Sequence, residues 1–246
     1  FDCGEGTQYR LMDADLSRAR IDAVCITHLH GDHCYGLPGL LSTMALQQRT
    51  DPVTLAVPPG TRAMLNAIPG ARPSDLPFPV DVTEVSDDLT ETVVYETGDL
   101  AVTARPLEHR QFAMGFRLAE RTRPGRFHPE RARAMGVPEG PAFARLQDGE
   151  PVTTADGTTV RPEQVMGPPR PGIAVAYVTD TRPCEGGRAL ARDADLLYHD
   201  ATFSDTYHAR AVETGHSTAR EAAEVAREAG VRRLLLGHIS ARYDDP

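Results

Sequence analysis

Apolar residues along the chain gather in short runs that end in polar or turn-forming residues. Ala23-Val24-Cys25-Ile26, Val53-Thr54-Leu55-Ala56-Val57, Met114-Gly115-Phe116-Arg117-Leu118, Ile173-Ala174-Val175-Ala176-Tyr177-Val178, Leu196-Leu197-Tyr198 and Leu234-Leu235-Leu236 read as strands, the first and fifth of them buried. Residues 93–96 and 100–105, joined at Gly98-Asp99, predict a hairpin. Between the runs the spacing turns helical: residues 10–20 with Leu11 and Leu16 inward, residues 37–48 with Leu40, Leu41, Met44 and Ala45 inward, and Thr61–Ala67. Residues 218–229 give the clearest helix. Thr218 and Glu221 form a capping box, Ala222, Val225, Ala226 and Ala229 share a face, and Gly230 supplies the stop. Residues 120–172 break the pattern: Pro and Gly are dense, periodicity is lost and Arg accumulates.

Several of these strands deliver a His or an Asp at their C-terminal end: His28, His109, Asp180, Asp200 and His238. Open α/β architectures place their sites at such an end. Thr27-His28-Leu29-His30-Gly31-Asp32-His33 is the densest, with three imidazoles and one carboxylate in six consecutive positions. In an extended segment His28 and His30 point the same way and can pinch one metal ion. Asp32 and His33 follow the bend expected at Gly31 and can aim at a second. The bland alternative is a His-rich surface loop, which the density of ligand-type residues disfavours. Asp180, in Thr179-Asp180-Thr181-Arg182-Pro183, also reads as a turn-starting Asp.

The 246 residues suffice for one large domain, and no composition break demands two. No apolar stretch approaches the roughly 18–20 residues that span a bilayer, so no membrane association is expected. Cys3, Cys25, Cys34 and Cys184 lack C-x-x-C spacing and predict free thiols in a reducing compartment, the cytoplasm. Net charge is −9 and every basic side chain is Arg, so any nucleic-acid surface must be local. From Arg117 to Arg145, seven Arg stand against three Glu. That excess suits a solvated loop or a phosphate-binding one.

The H-x-H-x-D-H pattern resembles the signature of the metallo-β-lactamase fold superfamily. Phe1-Asp2-Cys3-Gly4-Glu5-Gly6-Thr7-Gln8, Tyr35-Gly36-Leu37-Pro38-Gly39-Leu40-Leu41 and Gly237-His238-Ile239-Ser240-Ala241-Arg242-Tyr243 narrow the resemblance to the RNase Z family of tRNA 3′-processing endoribonucleases. The resemblance implies an α/β fold of the αββα sandwich type: one metallo-hydrolase domain over 1–246, with N-terminal strands missing before Phe1. A flexible tRNA-binding arm is implied at about 120–168. It also implies two zinc ions per chain, one on His28, His30 and His109, the other on Asp32, His33 and His238, with Asp180 bridging. Two such ions, roughly 3.5–4 Å apart, acidify a shared water toward a pKa of about 7 and offset phosphodiester charge.

By the same resemblance His216 donates a proton to the leaving ribose oxygen. Asp200, where the family usually has Glu, orients it. Asp32 is a candidate for proton transfer as well as ligation. His128, His199 and His208 are expected to stay outside the chemistry. Arg121, Arg123 and Arg126 with the Gly140-Pro141 pair match the arm's tRNA contacts. The implied function is zinc-dependent removal of 3′ trailers from precursor tRNA after the discriminator nucleotide, leaving a 3′-hydroxyl, by a homodimer. Two rivals stay open. One is a hydrolase of small phosphodiesters or sulfate esters, which should lack a basic arm; the other is a metal-stabilised RNA-binding protein without turnover.

Overall fold

The computed structural model describes residues 1–86, 88 and 90–243. In chain order, α1 (Thr7–Asp13), β1 (Ala23–Cys25), α2 (Gly31–Cys34), α3 (Leu37–Leu46), β2 (Val53–Val57), α4 (Thr61–Ala67) and β3 (Val80–Glu84) come first. Then come β4 (Thr92–Glu96), β5 (Leu100–Pro106) and β6 (Met114–Glu120). A segment follows with α5 (Pro129–Ala134), α6 (Pro141–Gln147), β7 (Val152–Thr153), β8 (Thr159–Val160) and α7 (Pro162–Val165). The chain closes with β9 (Ala174–Val178), α8 (Glu185–Ala191), β10 (Leu196–Asp200), α9 (His208–Thr214), α10 (Ala219–Glu228) and β11 (Leu234–Gly237). Two compact units result, Phe1–Ala119 with Ile173–Pro246, and Glu120–Gly172.

The first unit is an αββα sandwich. One sheet is parallel, in the order β1-β2-β3; the other is mixed, in the order β11-β10-β9-β6-β5-β4. Cys25 and Ala56 of the first sheet meet Val102, Ala104, Met114 and Phe116 of the second in a shared core. Outside the first sheet, Leu37, Leu40, Leu41 and Met44 form the inward stripe of α3 and pack with Val24, Leu55 and Val57. Burying each of these side chains stabilises the layer by roughly 1.5–3 kcal/mol. Outside the second sheet, Leu190 of α8 and Val225 and Ala226 of α10 pack on Ala176, Val178 and Leu197.

Two glycines bring the chain's beginning against the metal-ligand segment. A Cβ on Gly4 would lie 2.1 Å from the Asp32 carbonyl oxygen, and one on Gly36 would lie 1.8 Å from that of Gly4. Only bare backbone fits. The Asp2 N–H donates to Cys25 at 2.8 Å, the Cys3 N–H to His33 at 2.7 Å and the Gly36 N–H to Cys3 at 2.8 Å.

Several expectations change. The helix predicted over 10–20 begins at Thr7 and stops at Asp13, and Leu16 is 57% exposed. Leu11 and Leu16 are five apart, a spacing that leaves them on different helix faces. Gly31 does not bend a loop; it opens α2, where a Cβ would lie 2.6 Å from the Tyr35 ring. The strand predicted at 234–236 forms as an edge strand, with Leu235 51% exposed.

The segment read as aperiodic is folded. Ala132, Val137, Leu146, Val152, Val160 and Val165 form its own core, with the Phe127 and Phe143 rings 5.0 Å apart. Isolated bridges of Arg123 with Arg170 and of Phe127 with Met166 join its two ends. Its helices have six, seven and four residues, too short for a 3.6-residue period to register. Glu120–Gly172 holds eight Arg against seven Asp and Glu, so the basic excess predicted for its first half is nearly cancelled across the unit.

Candidate metal centre

Five of the predicted ligands follow a strand, and two lie on the short helix α2. His28 and His30 follow β1, Asp32 and His33 sit on α2, and His109 follows β5; Asp180 follows β9 and His238 follows β11. Asp180 and His238 hold left-handed backbone at φ 48° and 54°, and Asp2 does so at 56°. Such angles cost of order 1–3 kcal/mol each and persist where surrounding contacts over-determine them.

The structure brings all seven together. Ligand atoms of His28, His30, His109 and Asp180 lie within 4.8 Å of one another, as do those of Asp32, His33 and His238. Asp180 stands between the groups: Oδ2 is 3.5 Å from His28 Nε2, and Oδ1 is 3.3 Å from both His33 Nε2 and His238 Nε2. Asp32 Oδ2 lies 3.4 Å from His33 Nε2 and 3.5 Å from His238 Nε2.

Hydrogen bonds on the far side of the rings set the tautomers. The His33 Nδ1–H donates to Asp2 Oδ2 at 2.7 Å, and the Thr27 hydroxyl donates to the same carboxylate at 3.0 Å. With its hydrogen committed, Thr27 Oγ1 accepts the His28 Nδ1–H at 3.0 Å. The His109 Nδ1–H donates to the Gly215 carbonyl at 2.9 Å, and the His238 Nδ1–H to Thr202 Oγ1 at 2.8 Å. In the neutral form that can bind metal, each of these four rings turns an unprotonated Nε2 inward.

Whether metal fits can be judged from the lone pairs. His33 Nε2 and His109 Nε2 are buried without a hydrogen-bond partner, and His28 Nε2 lies 2.9 Å from His30 Nδ1. An unsatisfied buried polar atom costs about 1–3 kcal/mol. A cation answers all of these at once, and imidazole nitrogens with a few carboxylates suit zinc. The charges agree. Burial, helped by the neighbouring imidazoles, pushes His28 down to about 2, so it stays neutral. Burial also pulls on His33, but Asp2, Asp180 and Asp32 outweigh it and raise this imidazole to about 9. Positive charge is wanted beside a ring that rejects it.

Beside the ligands sits the pair His216 and Asp200. The His216 ring is 5.0 Å from that of His109 and 5.1 Å from that of His238, and its Nδ1–H donates to Asp200 Oδ2 at 2.8 Å. Burial favours a neutral Asp200, but its hydrogen bonds from His216 and Thr202 hold the carboxyl below its usual range. Burial likewise disfavours charge on His216, yet Asp200 raises its pKa above that of a free imidazole. An ionised acid thus orients a ring that readily carries a proton.

His199 bonds the Asp200 carbonyl, His208 pairs with Glu221 and His128 with Glu130; none joins the cluster. Arg121, Arg123, Arg126, Gly140 and Pro141 all lie in the Glu120–Gly172 unit. Arg123 pairs with Glu120 at 2.5 Å, while Arg121 and Arg126 are exposed. Gly140, at φ 95° and ψ −127°, takes a conformation open to glycine, and Pro141 starts α6 behind it.

Sequence reasoning missed Asp2, Thr27, Thr202 and Arg182. Asp2 stands alone at the chain's beginning and carries no spacing signal. Thr202 had one: an Asp-x-Thr pattern in which the Thr202 N–H closes onto Asp200 Oδ1 at 2.8 Å, a local turn of the Asx kind. The Arg182 guanidinium donates to the His216 carbonyl at 2.6 Å and to Glu221 at 2.8 Å, tying the His216 loop to α10.

A family model for the Beta-lactamase superfamily domain matches residues 1–167 and 164–239. The ribonuclease Z of Salinibacter ruber is 74% identical over 100% of this chain and 77% of its own length. That of Myxococcus xanthus is 49% identical over 100% of this chain and 79% of its own. The solved structure of human tRNase Z, short form, superposes with a TM-score of 0.71 at 29% identity, covering 98% of this chain and 82% of that one.

Proposed function

The chain belongs to the ribonuclease Z family, and from that premise we propose that this metal-dependent endoribonuclease uses two zinc ions to remove 3′ trailers from precursor tRNA. The cut falls after the discriminator nucleotide and leaves a 3′-hydroxyl. The observation that carries this reading is Asp180, 3.5 Å from His28 Nε2 and 3.3 Å from both His33 Nε2 and His238 Nε2, with the His216–Asp200 pair one ring away.

His28, His30 and His109 would hold one ion, Asp32, His33 and His238 the other, and Asp180 both. Ions held there supply positive charge against the phosphate and lower the pKa of water at the site toward about 7. Asp32, its side chain 63% exposed, is the group placed to take a proton from the attacking water. His216 keeps its Nδ1–H on Asp200 and presents a proton at Nε2. That proton goes to the ribose 3′ oxygen as its bond to phosphorus breaks. Asp200 stays ionised and stabilises the charged ring. Arg121, Arg123, Arg126 and the Gly140-Pro141 turn grip the tRNA body.

The enzyme works as a homodimer in the cytoplasm. Apolar side chains exposed on and after α1, Tyr9, Met12 and Leu16, support self-association. Free thiols at Cys3, Cys25 and Cys34, all buried, suit a reducing compartment. No described helix is long and apolar enough to cross a membrane.

Incubating zinc-loaded protein with a precursor tRNA bearing a 3′ trailer tests the reading. A mature 3′-hydroxyl end at the discriminator is expected. Folded, zinc-loaded protein that leaves the trailer in place overturns it.

A further inference from the structure

We infer that Thr202 is a positioning residue whose single hydroxyl ties the ligand His238 and the proton donor His216 to one carboxylate. The inference rests on the functional reading above. It follows from which atoms can donate.

Asp200 is buried and ionised, so its oxygens only accept. Oδ1 takes the Thr202 N–H at 2.8 Å and the Thr202 hydroxyl at 2.7 Å; Oδ2 takes the Thr181 N–H at 3.0 Å and the His216 Nδ1–H at 2.8 Å. The hydroxyl has one hydrogen, and Asp200 uses it. Toward His238 the same oxygen can only accept, so at 2.8 Å it must receive the Nδ1–H. That leaves His238 Nε2 as a lone pair, 3.3 Å from Asp180 Oδ1 and 3.5 Å from Asp32 Oδ2. His216 Nδ1 lies 3.2 Å from the hydroxyl but has the closer partner in Asp200. The two rings stack at 13°.

The opposite side of the site uses the same grammar. There the Thr27 hydroxyl donates to Asp2 and accepts from His28, while Asp2 takes the Nδ1–H of His33. That Thr–Asp pair holds two ligands. The Thr202–Asp200 pair holds one ligand and one proton donor, so Thr202 joins metal retention to proton delivery.

The test compares Thr202→Val, which keeps the shape and removes the hydroxyl, with Thr202→Ser, which keeps the hydroxyl. Zinc affinity is read by competition with a chelating dye, and turnover by kcat and KM for precursor tRNA. Thr202→Val should lose about 10- to 100-fold in affinity for one ion, the effect typical of removing a ligand's hydrogen-bond partner. Its kcat should fall while KM holds. Thr202→Ser should stay within about two-fold of wild type, since it keeps the hydrogen bond. Zinc binding at wild-type affinity in Thr202→Val overturns the inference, as does a Thr202→Ser protein that fails equally, because packing of the methyl would then be the cause. Should Thr202→Val not fold, nitrogen NMR of the wild-type zinc protein decides. His238 must bind metal through Nε2 with Nδ1 protonated; ligation through Nδ1 refutes the role. Zinc affinity is read without RNA, so failure of tRNA cleavage by the wild type counts against the functional reading alone.

Discussion

The two units bury different things. In the Phe1–Ala119 and Ile173–Pro246 unit, His28, His33, Asp180, His199, Asp200, Thr202, Ser217 and Thr218 are buried among the apolar side chains. In Glu120–Gly172, Thr154 is the buried polar residue among those described, and Ala, Val and Leu fill the core. A buried polar network works only when every member has its partner, so single changes there propagate. A small apolar core under a charged surface lets surface side chains change one at a time. The chemistry proposed above falls in the first arrangement, and the proposed grip on tRNA falls in the second.

The largest break is expected at Asp180. Asp180→Ala removes the carboxylate between the two ligand groups, so zinc content should fall below two per chain. Cleavage of precursor tRNA and of a small chromogenic phosphodiester should both drop by at least about 10³-fold, the scale of losing metal-assisted catalysis. His128→Ala, in the second unit, should change neither; a comparable loss there would erase the distinction between the units. Next comes His216→Ala, with kcat lower by about 10²–10⁴-fold, as for loss of a general acid. Metal analysis should still find two zinc ions, and a loss of zinc would move His216 among the ligands.

Smaller effects are expected on the second unit. Changing Arg121, Arg123 and Arg126 together to Gln should raise the dissociation constant for tRNA. It should also flatten the plot of log affinity against log salt by about 0.7–0.9 for each phosphate that an arginine no longer neutralises. Small-substrate hydrolysis should not move; an unchanged salt slope would place the RNA-binding surface elsewhere. Smallest is a negative result in the first unit. Burial pushes Cys3, Cys25 and Cys34 up to about 11, so thiolate forms only well above pH 8. Mass spectrometry after iodoacetamide at pH 8 should find these three unmodified in folded protein, and rapid alkylation would show that the core opens.

His28, His109, Asp180 and His238 were legible because each follows an apolar strand, and His30, Asp32 and His33 because they crowd behind His28 within six positions. The capping box of Thr218 and Glu221 was legible because both of its bonds are local. Asp2 was not, since its role depends on Gly4 and Gly36 letting distant backbone approach, a fact of packing. Thr27 and Thr202 were hidden differently. A hydroxyl beside a histidine means little until the direction of its one hydrogen is known. The fold of the second unit escaped because its helices are too short to show a period, and its charge was misjudged because the acidic residues lie in its second half, at Asp148, Glu150, Asp156 and Glu163.

The division of labour between the units is tested most directly by replacing Glu120–Gly172 with a short Gly-Ser linker and measuring two substrates on the zinc-loaded protein. The account predicts two zinc ions still bound, a chromogenic phosphodiester hydrolysed at close to the intact rate, and precursor-tRNA cleavage collapsing through KM. Equal loss of both activities would make the segment part of the catalytic fold, and survival of both would remove its claim on tRNA.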